Sequence, residues 1–172
     1  METLVFDASV LLNFGHRGEL EFLLAKFGKR YRLVVPRGVR GELLDPETKD
    51  YYDRLIRQHF TGEPPDSASI NLAELKRLTA ALGGGELSVM LLCLRMKGVA
   101  VLDDKQARCE ARRLGIRVMG TLGLLAEASH LGWCSDAECL GFLKKLLTNR
   151  FRAPALNEDC TFADYVKGLG DE

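Results

Sequence analysis

A chain of 172 residues, of which 47% are hydrophobic and 28% charged, has the composition of an ordinary globular protein with one core, which excludes disordered and fibrous proteins. The 24 basic and 24 acidic residues cancel, so a general nucleic-acid coat protein is disfavoured, whereas a nuclease with its acids gathered in one site is not. No apolar run reaches the roughly 18 residues of a membrane span, and the chain starts directly with a strand-like METLVFD. A cytoplasmic location with no membrane contact is therefore expected.

Strand and helix patterns alternate along the chain. In order, they predict a strand over 3–6, a helix over 15–28, a strand over 30–35, helices over 36–43, 48–60, 71–82 and 86–96, a strand over 99–102, a helix over 105–115, a strand over 116–120, helices over 121–132 and 138–149, and an arm over 151–172 that ends in a short helix. This alternation predicts an α/β protein, with a mainly parallel central sheet covered by helices on both faces in three α/β/α layers.

Local signals mark several boundaries of these elements. Val39 and Leu43 are expected on the buried side of their helix. Thr121 is a plausible N-cap, and Ser135 with Glu138 forms a capping-box pattern. The GEPPDS run at 62–67 predicts a loop.

Glycines at 83–85 are expected to end the helix that precedes them. The helix that Glu86 then opens is apolar nearly all round, so it should be deeply buried. A helix packed that deeply does not need an acid at its start for solubility.

The cysteines and histidines show no spacing typical of a zinc site. The five cysteines lie mostly in apolar or helix-like surroundings, which favours reduced, partly buried thiols. The three histidines are scattered along the chain. A zinc centre or a histidine-based catalytic site therefore has little support.

Acids follow two of the predicted strands. Asp7 ends the first strand, and Asp103 and Asp104 end the strand of VAVLDDK at 99–105. Because the carboxyl ends of parallel strands meet at one edge of a sheet, these acids are expected to line a common crevice, where Glu42 and Glu86 could join them. Clustered carboxylates repel one another unless a cation neutralises them, so the pattern favours a Mg²⁺ or Mn²⁺ site.

Four ordered blocks carry a family resemblance: VFDASVLLNF, VVPRGVRGELL, GGGELSVMLLCLRM and KGVAVLDDKQARCEARRLGIRVMGTLGLL. Together they resemble the PIN-domain family over residues 3–128, and within it the branch of VapC-like toxins whose last acids are written as a DD pair. The resemblance implies a compact α/β/α fold and a Mg²⁺- or Mn²⁺-dependent ribonuclease. The chain differs from that pattern at Leu102, where many relatives have threonine, in a long 46–85 segment, and in a tail beyond Asn149 that has no match.

The resemblance also implies roles for individual residues. The catalytic set would be Asp7, Glu42, Glu86 and Asp104. The metal-binding set would be Asp7, Glu86, Asp103 and Asp104. Ser9 matches the family's small hydroxyl residue; Lys105 and Arg108 complete the expected substrate-binding set because they lie on one outward face of the predicted helix, not because of the resemblance. On this basis residues 1–150 form a PIN-like nuclease domain, and 151–172 form a C-terminal arm of the same domain.

The function implied is hydrolysis of RNA phosphodiester bonds by a metal-dependent endoribonuclease, as the toxin of a toxin–antitoxin pair. The expected cofactor is Mg²⁺ or Mn²⁺. The expected partners are RNA, a cognate antitoxin protein and a second copy of the chain in a homodimer. The alternative is a PIN-like domain that binds RNA or a protein without cleaving anything.

Two other families begin with a strand that ends in an acid. A phosphatase of the haloacid-dehalogenase type needs a second aspartate where this chain has Ser9, and a receiver domain places its paired acids on the first strand rather than on a later one. Each acid also has a purely structural interpretation as a turn, cap or solvated residue, strongest for one member of the Asp103–Asp104 pair. Lys105, Arg108 and Arg112 could likewise be only an exposed helix face.

Overall fold

A four-stranded, wholly parallel sheet forms the centre of the molecule. The computed structural model describes residues 1–14, 18–43, 45–62, 71–148, 151–154 and 160–170. In these residues the strands are β1 (Thr3–Phe6), β2 (Arg32–Val34), β3 (Val99–Val101) and β4 (Arg117–Met119), in the order β2-β1-β3-β4. The two central strands are buried along their whole length, as expected where helices cover both faces of a parallel sheet.

Helices connect and cover the strands. They are α1 (Ala8–Phe14), α2 (Gly18–Phe27), α3 (Arg37–Arg40), α4 (Lys49–His59), α5 (Leu72–Ala81), α6 (Gly84–Met96), α7 (Lys105–Arg113), α8 (Thr121–His130), α9 (Asp136–Thr148) and α10 (Phe162–Gly170), with a 3₁₀ turn at Gly41–Leu43. The predicted three-layer α/β/α fold with a mainly parallel sheet is confirmed. No helix in the described part of the chain is long and apolar enough to cross a membrane.

Several local predictions hold because they rest on short-range patterns. Val39 and Leu43 are buried, although the helix predicted over 36–43 divides into α3 and the 3₁₀ turn. The Ser135–Glu138 capping box is present: Ser135 N donates to Glu138 Oε2 at 2.8 Å, and Glu138 N donates to Ser135 Oγ at 3.3 Å. Of the predicted 62–67 loop, only Gly62 is described, and the rest lies outside the described residues.

Two predicted helix starts are wrong. Thr121 is the first residue of α8 rather than its N-cap, which is Gly120. Gly83 is the N-cap of α6, so this helix begins two residues before Glu86. The helix is also less deeply buried than predicted, because several of its apolar residues, such as Leu87, are only half-buried against the core.

The cysteines carry no disulfide, as predicted. All five are free thiols, and Cys93, Cys134 and Cys139 are buried. Burial raises the pKa of the Cys93 thiol to about 12, so this side chain stays protonated and behaves as a small apolar residue.

A network of four ion pairs joins α5 to α7. Arg77 donates to both carboxylate oxygens of Glu110, at 2.9 and 2.5 Å, and pairs with Glu74 on its own helix. Arg113 bonds to the same two acids. Hydrogen bonds lower the pKa of Glu110 to about 2, and the bond from Arg77 has a larger effect than the bond from Arg113. The network also fixes α7, which carries Lys105 and Arg108, against α5.

We expect Glu110→Gln to lower the free energy of unfolding at pH 7. Because the folded-state pKa lies below the ordinary value of 4.5, this stabilisation is full above the unfolded pKa and is lost as the pH falls toward about 2. Urea unfolding at several pH values should therefore show wild type and variant converging in acid. Glu47→Gln, at an exposed position, is the matched control; a difference for Glu110→Gln that stayed constant down to about pH 2 would contradict the assignment.

Candidate active site at the carboxyl edge of the sheet

The register of the central strands places the strand-end acids at one edge. Phe6 is paired with Val101, and the Asp7 backbone N–H donates to the Val101 carbonyl at 3.0 Å. Asp103 and Asp104 follow β3 by two and three residues, so they emerge beside Asp7. This is the carboxyl edge of the sheet, where parallel α/β proteins usually bind their ligands.

Asp7 is a buried carboxylate that is only partly satisfied. It is 4% exposed, and its Oδ2 accepts hydrogen bonds from Ser9 N at 3.1 Å and Ser9 Oγ at 2.5 Å. Its Oδ1 is buried with no hydrogen-bond partner in the described part of the chain. A buried, unpartnered oxygen is costly, and a bound cation would remove that cost.

Glu42 reaches the same place from the 3₁₀ turn. Its carboxylate accepts a hydrogen bond from the Gly85 N–H, and a Cβ on Gly85 would lie 2.8 Å from the Glu42 carboxyl carbon, so a larger residue there would require the Glu42 side chain to move. Desolvation raises the pKa of Glu42, and the negative charges of Asp7 and Glu86 raise it further against the lowering effect of the Gly85 bond. Glu42 is therefore electrostatically coupled to both Asp7 and Glu86.

Glu86 and Asp104 each cap a helix. Glu86 Oε2 accepts from the Gly83 N–H at 2.8 Å in the first turn of α6. Asp104 is the N-cap of α7, where its Oδ1 accepts from Ala107 N at 2.8 Å, while Oδ2 takes no part in this cap. Both positions suit a carboxylate, because helix N-termini carry partial positive charge.

Asp103 is held by three hydrogen bonds from two other elements. Oδ1 accepts from Thr121 N at 2.8 Å, and Oδ2 accepts from Thr121 Oγ at 2.5 Å and from Asn13 Nδ2 at 2.6 Å. The carboxylate thereby caps α8 from a different strand end, which explains why Thr121 is buried inside the helix rather than serving as its cap.

The donor chemistry fits a hard divalent cation, although the acids are not gathered into a complete shell. In the described residues, no three side chains from aspartate, glutamate, histidine and cysteine form a group that could hold a metal ion. Mg²⁺ keeps several waters and needs only one or two protein carboxylates. The unpartnered Oδ1 of Asp7 is the oxygen in this edge best suited to such an ion.

A cleft of about 620 Å³ opens beside these acids. Its lining residues are Ser9, Asn13, Asp103, Asp104, Arg108, Gly120, Leu122, Gly123, Phe151, Arg152, Ala153 and Pro154. Arg108 faces the cleft, and its Nε is buried without a hydrogen-bond partner among the described residues. Lys105 and Arg112 are exposed on α7 and are not part of the lining, so Arg108 is the predicted cation that the structure brings to the cleft.

Sequence patterns missed several contributors to this site. Gly85 and the 151–154 segment carry no local signal, because their roles depend on contacts with distant parts of the chain. Asn13 could have been found, since it lies four residues after Ser9 on α1 and thus on the same helix face.

Comparison with known proteins places the chain in a family. The family model of the PIN domain matches residues 3–156, which is most of the chain. The match includes all the acids described above and ends before α10. No curated protein matches the chain closely enough to count as a relative.

We expect Asp7→Asn to lower the pKa of Glu42 toward its ordinary value, because the variant removes the charge next in importance to desolvation. Carboxyl-carbon NMR titration of wild type and variant measures this directly. Some elevation should remain, since desolvation is the larger cause. Asp53→Asn, at an exposed position of α4, is the matched control; a Glu42 pKa that did not change in Asp7→Asn would show that the two carboxylates are uncoupled.

Proposed function

The chain belongs to the PIN-domain family, a nuclease fold, and from the chemistry of its carboxyl edge we propose that it is a metal-dependent endoribonuclease that hydrolyses RNA phosphodiester bonds. One observation carries the proposal: the buried, unpartnered Oδ1 of Asp7 lies in a group of mutually repelling acids beside a cleft that also presents Arg108. A structural role alone does not account for a buried carboxylate that has an unsatisfied oxygen and whose charge raises the pKa of a neighbouring carboxyl group, that of Glu42.

The cofactor in this proposal is Mg²⁺ or Mn²⁺. Asp7 and Glu86 would hold the ion together with Asp104, whose Oδ2 is not used by its helix cap, while Asp103 stands beside them with its oxygens bound to Asn13 and Thr121. When bound, such an ion supplies Lewis acidity, which lowers the pKa of water and offsets the charge that builds on a phosphate under attack.

The chain's own residues supply orientation and proton transfer. Ser9 fixes the Asp7 carboxylate through its N–H and hydroxyl, so its role is to orient an acid, while its place in the cleft lining keeps it within reach of a substrate. Glu42 has a raised pKa, which suits it to accept a proton from the attacking water. Arg108 would bind a backbone phosphate in the cleft, and Lys105 would do so from the first turn of α7.

Within the family, we assign the chain to the toxin branch, because its closing acids form a DD pair at 103–104. The partner of a toxin of this kind would be an antitoxin protein, and a homodimer is the expected assembly. A short DNA-binding-type protein encoded immediately upstream would support this assignment.

A non-cleaving RNA- or protein-binding domain is the second candidate. One observation favours it: Asp103 and Asp104 both cap helices, and no complete group of metal ligands is present among the described residues. In such a domain the acids would serve the fold alone. The two candidates differ in their response to divalent ions.

Millimolar Mn²⁺ should raise the melting temperature of the wild-type protein, because an ion bound only by the folded state stabilises it by mass action. Asp7→Asn should lose this shift, while its melting temperature without metal should be unchanged or slightly higher, since the variant relieves repulsion among the acids. Scanning fluorimetry with and without Mn²⁺ measures both effects. Equal Mn²⁺-induced shifts in wild type, Asp7→Asn and the Asp53→Asn control would mean that the ion binds elsewhere.

Asp7→Asn and Asp104→Asn should each reduce RNA cleavage in Mn²⁺ by at least about a hundredfold, because they weaken the hold on the ion that stabilises the transition state. RNA affinity should stay the same or improve, since these carboxylates repel the phosphate backbone. Asparagine also caps helices well, so Asp104→Asn preserves the start of α7. Single-turnover cleavage beside a binding titration separates the two effects.

Arg108→Ala should instead weaken RNA binding. The slope of log affinity against log salt concentration should become shallower by about 0.7 to 0.9, because one phosphate contact is lost. Asp53→Asn is the control for the acids, and EDTA is the control for the metal. Wild-type protein that binds several RNAs without metal-dependent cleavage would favour the binding domain. Cleavage that survives both EDTA and Asp104→Asn would refute the assigned site.

A further inference from the structure

One side of the cleft comes from the end of the chain. Phe151, Arg152, Ala153 and Pro154, here called the C-terminal wall, line it together with Asp103 and Asp104. Phe151 is half-buried and packs against the core, whereas Arg152 is exposed. The wall therefore contributes an aromatic residue and an exposed cation to the lining of the same cleft.

The C-terminal wall is fastened at both ends. The Phe151 N–H donates to the Leu146 carbonyl near the end of α9 at 3.2 Å. At the other end, the Tyr165 hydroxyl of α10 donates to the Pro154 carbonyl at 2.9 Å. Tyr165 is 7% exposed, and burial raises the pKa of its hydroxyl, which therefore stays protonated and able to donate.

Helix α10 is itself held firmly. Both carboxylate oxygens of Asp136, the first residue of α9, accept backbone hydrogen bonds at 2.9 Å, one from Phe162 and one from Ala163. The Phe162 side chain is buried in the core. Because the PIN-domain match ends at residue 156, the element that fastens the wall is an addition to the part of the chain that the family accounts for.

Several other lining residues of the cleft are polar, and two of them bond to the acids. Ser9 lines the cleft and donates a hydrogen bond to Asp7. Asp103 also lines the cleft and accepts a hydrogen bond from Asn13. A volume of about 620 Å³ falls in the range of small-ligand pockets. An aromatic residue and apolar residues that share a cleft with arginines and polar groups match a nucleotide, whose base can stack on a ring and whose phosphate can pair with arginine.

We propose that the C-terminal wall is a recognition subsite for one unpaired nucleotide next to the scissile bond. Phe151 stacks on the base, Arg152 binds a phosphate, and Tyr165 is a positioning residue that acts through Pro154. This inference rests on the proposed function, because it takes RNA as the ligand of the carboxyl edge. It adds specificity-determining residues that lie outside the acid group.

A scan with abasic RNA tests the subsite. Eight-nucleotide single strands, each lacking one base, are titrated by fluorescence anisotropy in EDTA, and the intact strand is cleaved separately in Mn²⁺. Wild type should lose about tenfold in affinity when one particular base is missing, since base–aromatic stacking is worth about that much. Phe151→Leu should bind the intact strand about tenfold more weakly. In this variant, removal of that base should cause no further loss of affinity, so the abasic penalty, meaning the affinity lost when the base is missing, should disappear.

Two further variants test the other residues. Arg152→Gln should reduce the log–log salt slope by about 0.7, the value for one phosphate contact on a single strand, while Arg57→Gln, an exposed arginine on α4, should not. Tyr165→Phe should reduce the abasic penalty without changing the melting temperature by more than a few degrees. Tyr51→Phe, at a half-buried tyrosine of α4, is its matched control.

The outcomes separate this inference from the proposed function. Metal-dependent cleavage by wild type, with an abasic penalty that persists in Phe151→Leu or is absent from the start, overturns the subsite and leaves the nuclease standing. A penalty that Phe151→Leu removes, in a protein that never cleaves, supports the subsite and refutes the nuclease. Wild-type protein that neither binds nor cleaves RNA overturns both.

Discussion

The parallel pairing of β1 with β3 decides where every acid of the site can lie. Phe6 pairs with Val101, and the hydrogen bond from Asp7 N to the Val101 carbonyl carries the ladder one residue past the strand. Both strands are fully buried, so a slip of one residue would exchange the side chains that pack against the helices on each face and would disrupt the close packing of the core. The same burial that stabilises the core therefore fixes the carboxylate of Asp7 beside the end of β3.

Helix N-termini at this edge of the sheet stabilise several of its carboxylates. α6, α7 and α8 are capped there by Glu86, Asp104 and Asp103, whose negative charges meet the partial positive charge of the helix N-termini. Asp7 and Glu42 accept backbone hydrogen bonds at the starts of α1 and α6, from Ser9 and Gly85, but each remains perturbed. One has a buried oxygen without a partner, and the other has a raised pKa. The unrelieved strain is thus concentrated in these two residues, and perturbed groups beside a cleft are typical of functional sites.

Much of the fold was predictable because its signals are short-range. The strands that come just before Asp7 and the Asp103–Asp104 pair, and the buried faces at Val39 and Leu43, follow from periods of two to four residues. The site required contacts that no local pattern encodes. Thr121 looked like an N-cap because a hydroxyl residue precedes an apolar run, but a carboxylate from the end of another strand supplies the capping oxygens instead.

The acids also show that local sequence patterns do not reveal contacts between distant residues. Sequence spacing placed Asp103 and Asp104 next to Asp7 without separating their roles, since adjacent residues after a strand point in different directions. The hydrogen bonds distinguish the two roles. Both carboxylate oxygens of Asp103 accept hydrogen bonds from Asn13 or Thr121, whereas only one carboxylate oxygen of Asp104 takes part in its helix cap. The sequence predicted Glu42 near the strand-end acids, yet it gave no sign of Gly85, which lies 43 positions away and leaves space for the Glu42 carboxylate.

The end of the chain belongs to the site as much as to the fold. A boundary at residue 150 separates the predicted nuclease domain from its arm, but the cleft next to Asp103 is closed by residues on the far side of that boundary. Asp136 ties α10 to the start of α9, and Tyr165 ties the same helix to Pro154, so the wall is held by two contacts that are distant in sequence. An edge built from strand ends is shared by any protein with this sheet; a wall fastened by an added helix can differ from one chain to the next. Specificity is therefore free to change here without disturbing the acids, because the wall and the acids are carried by different elements.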